Sequence, residues 1–216
     1  MDTFGALRAI SELTSEQWGL LTSAQAISRG VSRAQLLRMA DAGLLERLQH
    51  GVYRLTGAPR AENEHLCALW MGLDASAAPE GRTLRPSDGA VVFGGVVAAS
   101  LHEVGDLTVH EYELVTPVRR QSRQASVRFR IEQLSDTEVT TVKGLPVLTI
   151  PRLVRDLVQG AYPVDLSLVG DLVVDALRDG KTSTFELEAA YANFEPTTRA
   201  ALEGYVQEQL RAPQYV

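Results

Sequence analysis

Apolar positions return every three or four residues from Leu7 through Ile10 and Leu13 to Trp18, which predicts a first helix over residues 3–18. The next stretch, GLLTSAQAISRGVSRAQLLRMADAGL, carries two helix-start signatures. Thr22 precedes Gln25 by three residues, and Ser32 precedes Gln35 by three. In each pair the hydroxyl can cap a helix while the Gln closes a capping box. The earlier helix should run to Arg29 and leave through Gly30. The later one should turn Leu36, Leu37 and Ala40 inward and stop at Gly43, with Ala26 and Leu36 in the core where the two cross. LLERL and GVYRL then alternate apolar and polar residues about Gln49-His50-Gly51, the pattern of a hairpin with Gly in the turn. A tight helix pair followed by a hairpin is the order of a winged helix-turn-helix.

Thr56-Gly57-Ala58-Pro59 is turn chemistry and sets an expected division into residues 1–60 and 61–216. Beyond it, residues 61–75 place Leu66, Leu69, Trp70 and Leu73 on one helical face. GGVVAASLHEVG reads as a short buried helix or a strand. HEYELVTP, SVRFRIEQL and TTVKGLPVLTI read as three strands. Pro151 opens a helix with Leu153, Val154, Leu157 and Val158, and two or three more helices finish the chain. The expected class is α+β: an N-terminal winged helix-turn-helix, then a mixed α/β domain with a small sheet and several helices.

Composition narrows the function. With 45% hydrophobic and 22% charged residues the chain is an ordinary globular protein. No apolar run nears the ~20 residues of a membrane span, so no membrane partner is expected. One cysteine and no secretory pattern at the start fit the cytoplasm. The net charge of −6 divides unevenly. Residues 1–60 hold seven Arg against five acids (+2), and residues 61–216 hold 14 Lys or Arg against 22 acids (−8). A slightly basic head on an acidic body suits a nucleic-acid reader joined to a protein-binding domain.

No catalytic constellation emerges, and neither cofactor nor metal is expected. Ser100 lies in AASLH, which is not a nucleophile elbow. His65 and Cys67 diverge on a helix, and His102 and His110 fall in different elements. Gly180-Lys181-Thr182 follows a helix, with Asp175 where a phosphate loop needs its first Gly. It reads as a helix end. Glu111 and Glu113 share one face of a strand, most simply a solvated one. The densest charge signal is RRQSRQASVRFR, in which Arg119, Arg120, Arg123, Arg128 and Arg130 occur with no acid among them. Such a segment can grip phosphates, meet an acidic protein, or form a solvated edge strand.

Four segments in order, GLLTSAQAISRGVSRAQLLRMADAGLLERLQHGVYRL, GGVVAASLHEVGDL, YELVTPVRR and GLPVLTIPRLVRDLV, resemble the AbiEi-like abortive-infection antitoxins of type IV toxin–antitoxin pairs. The likeness spans about residues 15–180. It implies a non-enzymatic antitoxin whose winged helix represses its own promoter at inverted repeats, and whose second domain counters a nucleotidyltransferase-like toxin. On that reading Ser32, Arg33, Gln35 and Arg38 enter the major groove from the recognition helix. Arg47, Gln49, His50 and Arg54 form or flank the wing, and Arg119, Arg120, Arg123, Arg128 and Arg130 contact toxin or DNA. The alternative is a stand-alone winged-helix regulator whose second domain senses a ligand or dimerises.

Overall fold

The computed structural model describes residues 2–77, 82–122 and 124–212. It is a mixed α+β chain with two small sheets, divided into two compact units at Arg82 and Thr83.

In the N-terminal unit, α1 (Thr3–Ser15) is capped by Asp2 and leads through Trp18 and Gly19, both at positive φ, into a strand, β1 (Leu20–Thr22). Both expected capping boxes form: Thr22 with Gln25 opens α2 (Ser23–Ser28), and Ser32 with Gln35 opens α3 (Arg33–Asp41). Between these helices Gly30 takes φ +84°, a conformation other residues adopt only with strain, and Val31 is fully buried. The hairpin follows as β2 (Leu45–Gln49) and β3 (Val52–Leu55), turning at Gly51. The sheet order is β1-β3-β2, both pairs antiparallel. Ala6, Ile10, Leu21, Ala26, Val31, Leu36, Met39 and Leu45 make one buried cluster under the helices.

The unit does not end at residue 60. The helix α4 (Glu64–Leu73) buries Leu66, Leu69, Trp70 and Met71 and packs on all three strands. The reason lies in buried polar groups. Gln25 completes its capping box, exchanges amide hydrogen bonds with Gln17 (2.8 and 3.0 Å), and donates to the Ala77 carbonyl at 2.7 Å. The Thr22 hydroxyl donates to the Ala75 carbonyl. Buried amides and hydroxyls left without partners cost roughly 1–3 kcal/mol each, so these bonds bind the segment after α4 to the start of α2. Cys67 lies buried within α4.

In the C-terminal unit a mixed five-stranded sheet runs in the order β6-β5-β4-β8-β7. Of the two elements expected for the glycine-valine stretch, the helix forms: its valines lie in α5 (Gly95–His102), and a strand, β4 (Val92–Gly94), runs directly into it from the residues before. β5 (Tyr112–Thr116) pairs antiparallel with β4 and parallel with β6 (Val127–Ile131). The segment expected as a third strand is instead a hairpin, β7 (Val139–Val142) and β8 (Leu145–Leu148). Its turn places Lys143 and Gly144 at φ +51° and +84°, the paired positive angles of a tight hairpin. β8 pairs parallel with β4. Four helices complete the unit: α6 (Ile150–Gln159), α7 (Leu166–Arg178), α8 (Thr184–Tyr191) and α9 (Pro196–Arg211). Gly180, at φ +65°, follows the end of α7, as a helix terminus requires. No helix among the described residues is long and apolar enough to cross a membrane.

Candidate nucleic-acid interface

On α3 the residues that leave the core are Arg33, Ala34, Leu37, Arg38 and Asp41. At 100° per residue they lie within one face. Leu36 is buried as expected, whereas Leu37, also expected inward, is 60% exposed and Met39 takes the buried side with Leu36. Arg33 and Arg38 project into solvent, as does Arg29 at the end of α2. Among the described residues none of these three arginines forms an ion pair. Exposed guanidiniums without carboxylate partners are available to phosphates and base edges.

Ser32 and Gln35 lie at the N-terminal end of α3 but off that face, and they have local work. The Ser32 hydroxyl accepts from the Gln35 amide at 3.2 Å, and the Gln35 side-chain oxygen accepts from the Ser32 amide at 2.9 Å. They position the helix; Arg33 and Arg38 present its chemistry.

The four hairpin residues divide two and two. Arg47 and His50 are exposed beside each other, with Arg47 Nη2 3.2 Å from His50 Nδ1. Gln49 points back into its own unit, where its amide donates to the Ala68 carbonyl at 2.7 Å. Gly72 makes this possible, since a Cβ there would stand 2.7 Å from the Gln49 nitrogen. Arg54, expected at the wing, is 7% exposed. It pairs with Glu46 across the hairpin and with Glu64 at 3.0 Å, and donates to the Ala58 carbonyl at 3.1 Å. Hydrogen bonding by Arg54 is the main cause that holds the Glu46 carboxyl below its ordinary range. Arg54 is therefore corrected from a DNA contact to an internal tie. Arg54→Met is expected to destabilise the N-terminal unit by about 2 kcal/mol, below the 3–5 kcal/mol of a wholly buried pair because Glu46 is half exposed. Urea unfolding measures this. A fall in the salt dependence of DNA binding at unchanged stability would restore Arg54 to the surface role.

The second expected basic surface is also corrected. Parallel pairing of β5 with β6 sets Arg128 opposite Glu113, and Arg130 two residues along the same face. Glu113 accepts from Arg128 at 2.6 Å and from Arg130 at 3.1 Å, so it is not the solvated carboxylate expected. Arg130 also reaches Asp156 at 2.5 Å and pairs with Glu132. The Arg128 guanidinium stacks 3.8 Å over the Tyr162 ring. Both are neutralised within the fold by acids that stand outside their own segment. Arg119 is exposed, Arg120 is half-buried, and Arg123 lies outside the described residues. Among the described residues no group of three His, Cys, Asp or Glu side chains could hold a metal ion.

Comparison with known families adds one finding. Residues 8–56 match the family of AbiEi antitoxin transcriptional regulators. The match begins inside α1 and ends just after β3. It supports the AbiEi-like family that the sequence resembles, and it contains every exposed side chain of the α2–α3–hairpin surface named above. No curated protein matches the chain. The AbiEi match stops before α4, so the helix that completes the N-terminal unit lies outside it, as does the whole C-terminal unit.

Proposed function

We propose that the chain is a non-enzymatic antitoxin that represses its own promoter, with the N-terminal unit as a winged helix-turn-helix and the C-terminal unit directed at a nucleotidyltransferase-like toxin. The observation that carries this reading is the face of α3. Arg33 and Arg38 on that face, with Arg29 at the end of α2, form no ion pair among the described residues, and together with the Arg47–His50 turn they belong to the segment that matches the AbiEi regulators. From α2 through β3 the chain holds five arginines against two acids, and the Arg54–Glu46 pair removes one of each. On this reading α3 enters the major groove with Arg33 and Arg38 toward base edges, and Arg29, Arg47 and His50 meet phosphates on either side. Two copies on inverted repeats would give the matching two-fold arrangement.

The test is titration of the protein against its own promoter fragment and against random duplex. Arg38→Ala is expected to weaken promoter binding by about 1–3 kcal/mol while leaving random duplex nearly unchanged. Equal losses on both would make Arg38 a phosphate contact only. Unchanged binding on both would remove it from the interface. Growth rescue on co-expression with the neighbouring gene product tests the antitoxin half.

One observation favours a second reading, a stand-alone regulator that senses a ligand. The C-terminal unit holds a cavity of about 370 Å³ bordered by Gly95, Glu113, Arg128, Asp156 and Tyr162. A DNA-binding chain with no effect on toxin growth arrest would select it.

A further inference from the structure

Leu37 stands 60% exposed, and Ile27 42% exposed, on adjoining helices. Both border a hollow of about 730 Å³ that Arg33, Arg47 and His50 also line. A single exposed leucine is ordinary. This one has an unusual setting. On α3 it lies between Arg33 and Arg38, each without an ion pair among the described residues, and Arg29 ends the neighbouring helix in the same condition. Asp41, a turn further on, is the one acid of that exposed face.

The occupant of such a face must accept positive charge around an apolar centre. Duplex DNA meets both demands in the major groove: phosphates flank it, and thymine projects a C5-methyl into it as the apolar group of the base edges. Resting on the DNA-binding reading above, we propose that Leu37 is a specificity-determining residue that reads a thymine methyl in each half-site. Helix geometry fixes where. Arg33 and Leu37 are four residues, about 6 Å of helix axis, apart, and base pairs stack about 3.4 Å apart. The thymine therefore lies within two base pairs of the base that Arg33 contacts. Arg suits guanine, so the half-site core pairs a guanine with a nearby thymine.

The experiment uses the full chain and a duplex of its own promoter in which each thymine is replaced in turn by deoxyuridine. Pairing is kept and one methyl is lost. Wild-type affinity is expected to fall about fourfold at one position per half-site, the weight of one buried methyl, and elsewhere to hold. Leu37→Ala is expected to bind more weakly than wild type and to lose the response at that position. Ala favours the helix more than Leu does, so the variant folds, and an unchanged melting midpoint verifies it. Promoter binding that ignores every deoxyuridine overturns the Leu37 assignment and leaves the DNA reading standing. Absence of promoter-specific binding by wild type overturns both. A Leu37→Ala variant that binds promoter as wild type does but no longer rescues growth also overturns it, and makes the face a protein-docking surface.

Discussion

Replacing Arg152 by Met is expected to lower the unfolding free energy of the C-terminal unit by about 3–5 kcal/mol, the penalty for removing one partner from a buried ion cluster. The Arg152 side chain is 3% exposed and is held by three carboxylates. Its nitrogens donate to Glu132 and Glu138, each at 2.6 Å, and to Asp156 at 2.9 Å. Burial works against its charge, but Glu132, Asp156 and Glu138 outweigh burial and raise its pKa. Met fills much of the volume and supplies no charge. Among the described residues, Glu132, Glu138 and Asp156 would then face one another with Arg130 and Arg155 left to balance them. Urea unfolding followed by far-UV circular dichroism measures the loss. A change below about 1 kcal/mol would mean that water replaces the guanidinium without penalty, and would sink the account. Arg152→Lys should fall between the two, since one ammonium cannot reproduce the planar fork. Because Arg128 and Arg130 belong to the same cluster, Arg128→Gln with Arg130→Gln is expected to destabilise this unit and leave the salt dependence of promoter binding unaltered.

The same cluster makes the C-terminal unit acid-labile over a defined range. Glu138 has a pKa lowered from 4.5 to about 2. Burial pushes it upward, but the Ser135 amide and Arg152 stabilise the carboxylate and prevail. A carboxyl depressed in the folded state contributes its stability above the unfolded value, and that contribution disappears as pH falls toward the folded value. Glu138 should therefore act in full above about pH 5 and be lost between about pH 4.5 and pH 2. At ~1.4 kcal/mol per pH unit between the two values, the contribution is about 3 kcal/mol. Urea midpoints recorded at successive pH values should drop more steeply over that interval for wild type than for Glu138→Gln. Parallel curves would show that Glu138 is not the group responsible.

How much of this could be read beforehand depended on the range of the interaction. The two capping boxes, the Gly51 turn and Pro151 at the head of α6 are matters of three or four neighbouring residues, and all stand where the residue pattern places them. Leu20–Thr22 is three residues long, too short for an alternation, and becomes a strand only because β3 lies beside it. Leu36 and Leu37 are adjacent apolar residues on a nine-residue helix; periodicity alone admits either as the inward one. Arg54 shares a strand face with buried Val52, yet an arginine reads as solvent-facing until Glu64, ten residues on, pairs with it there. The segment with Arg128 and Arg130 looks purely basic because its neutralising acids sit at 111, 113, 132 and 156, joined to it by strand register and by α6. The domain division slipped for the same reason. Turn chemistry at Pro59 is local, whereas the bonds from Thr22 and Gln25 to residues 75 and 77 span some fifty positions. Of the candidate interface, α3 and the turn were legible as elements. Which of their side chains stay available was decided by partners elsewhere in the unit.

The buried cysteine of α4 has a practical corollary. Burial pushes the Cys67 thiol up to about 12, so at neutral pH almost none of it is thiolate, the form that alkylating dyes attack. The native chain is in effect thiol-silent. A cysteine introduced at the exposed position 34 would be its one reactive sulfur, and would take a fluorophore directly on the α3 face without first stripping the protein of its natural residue.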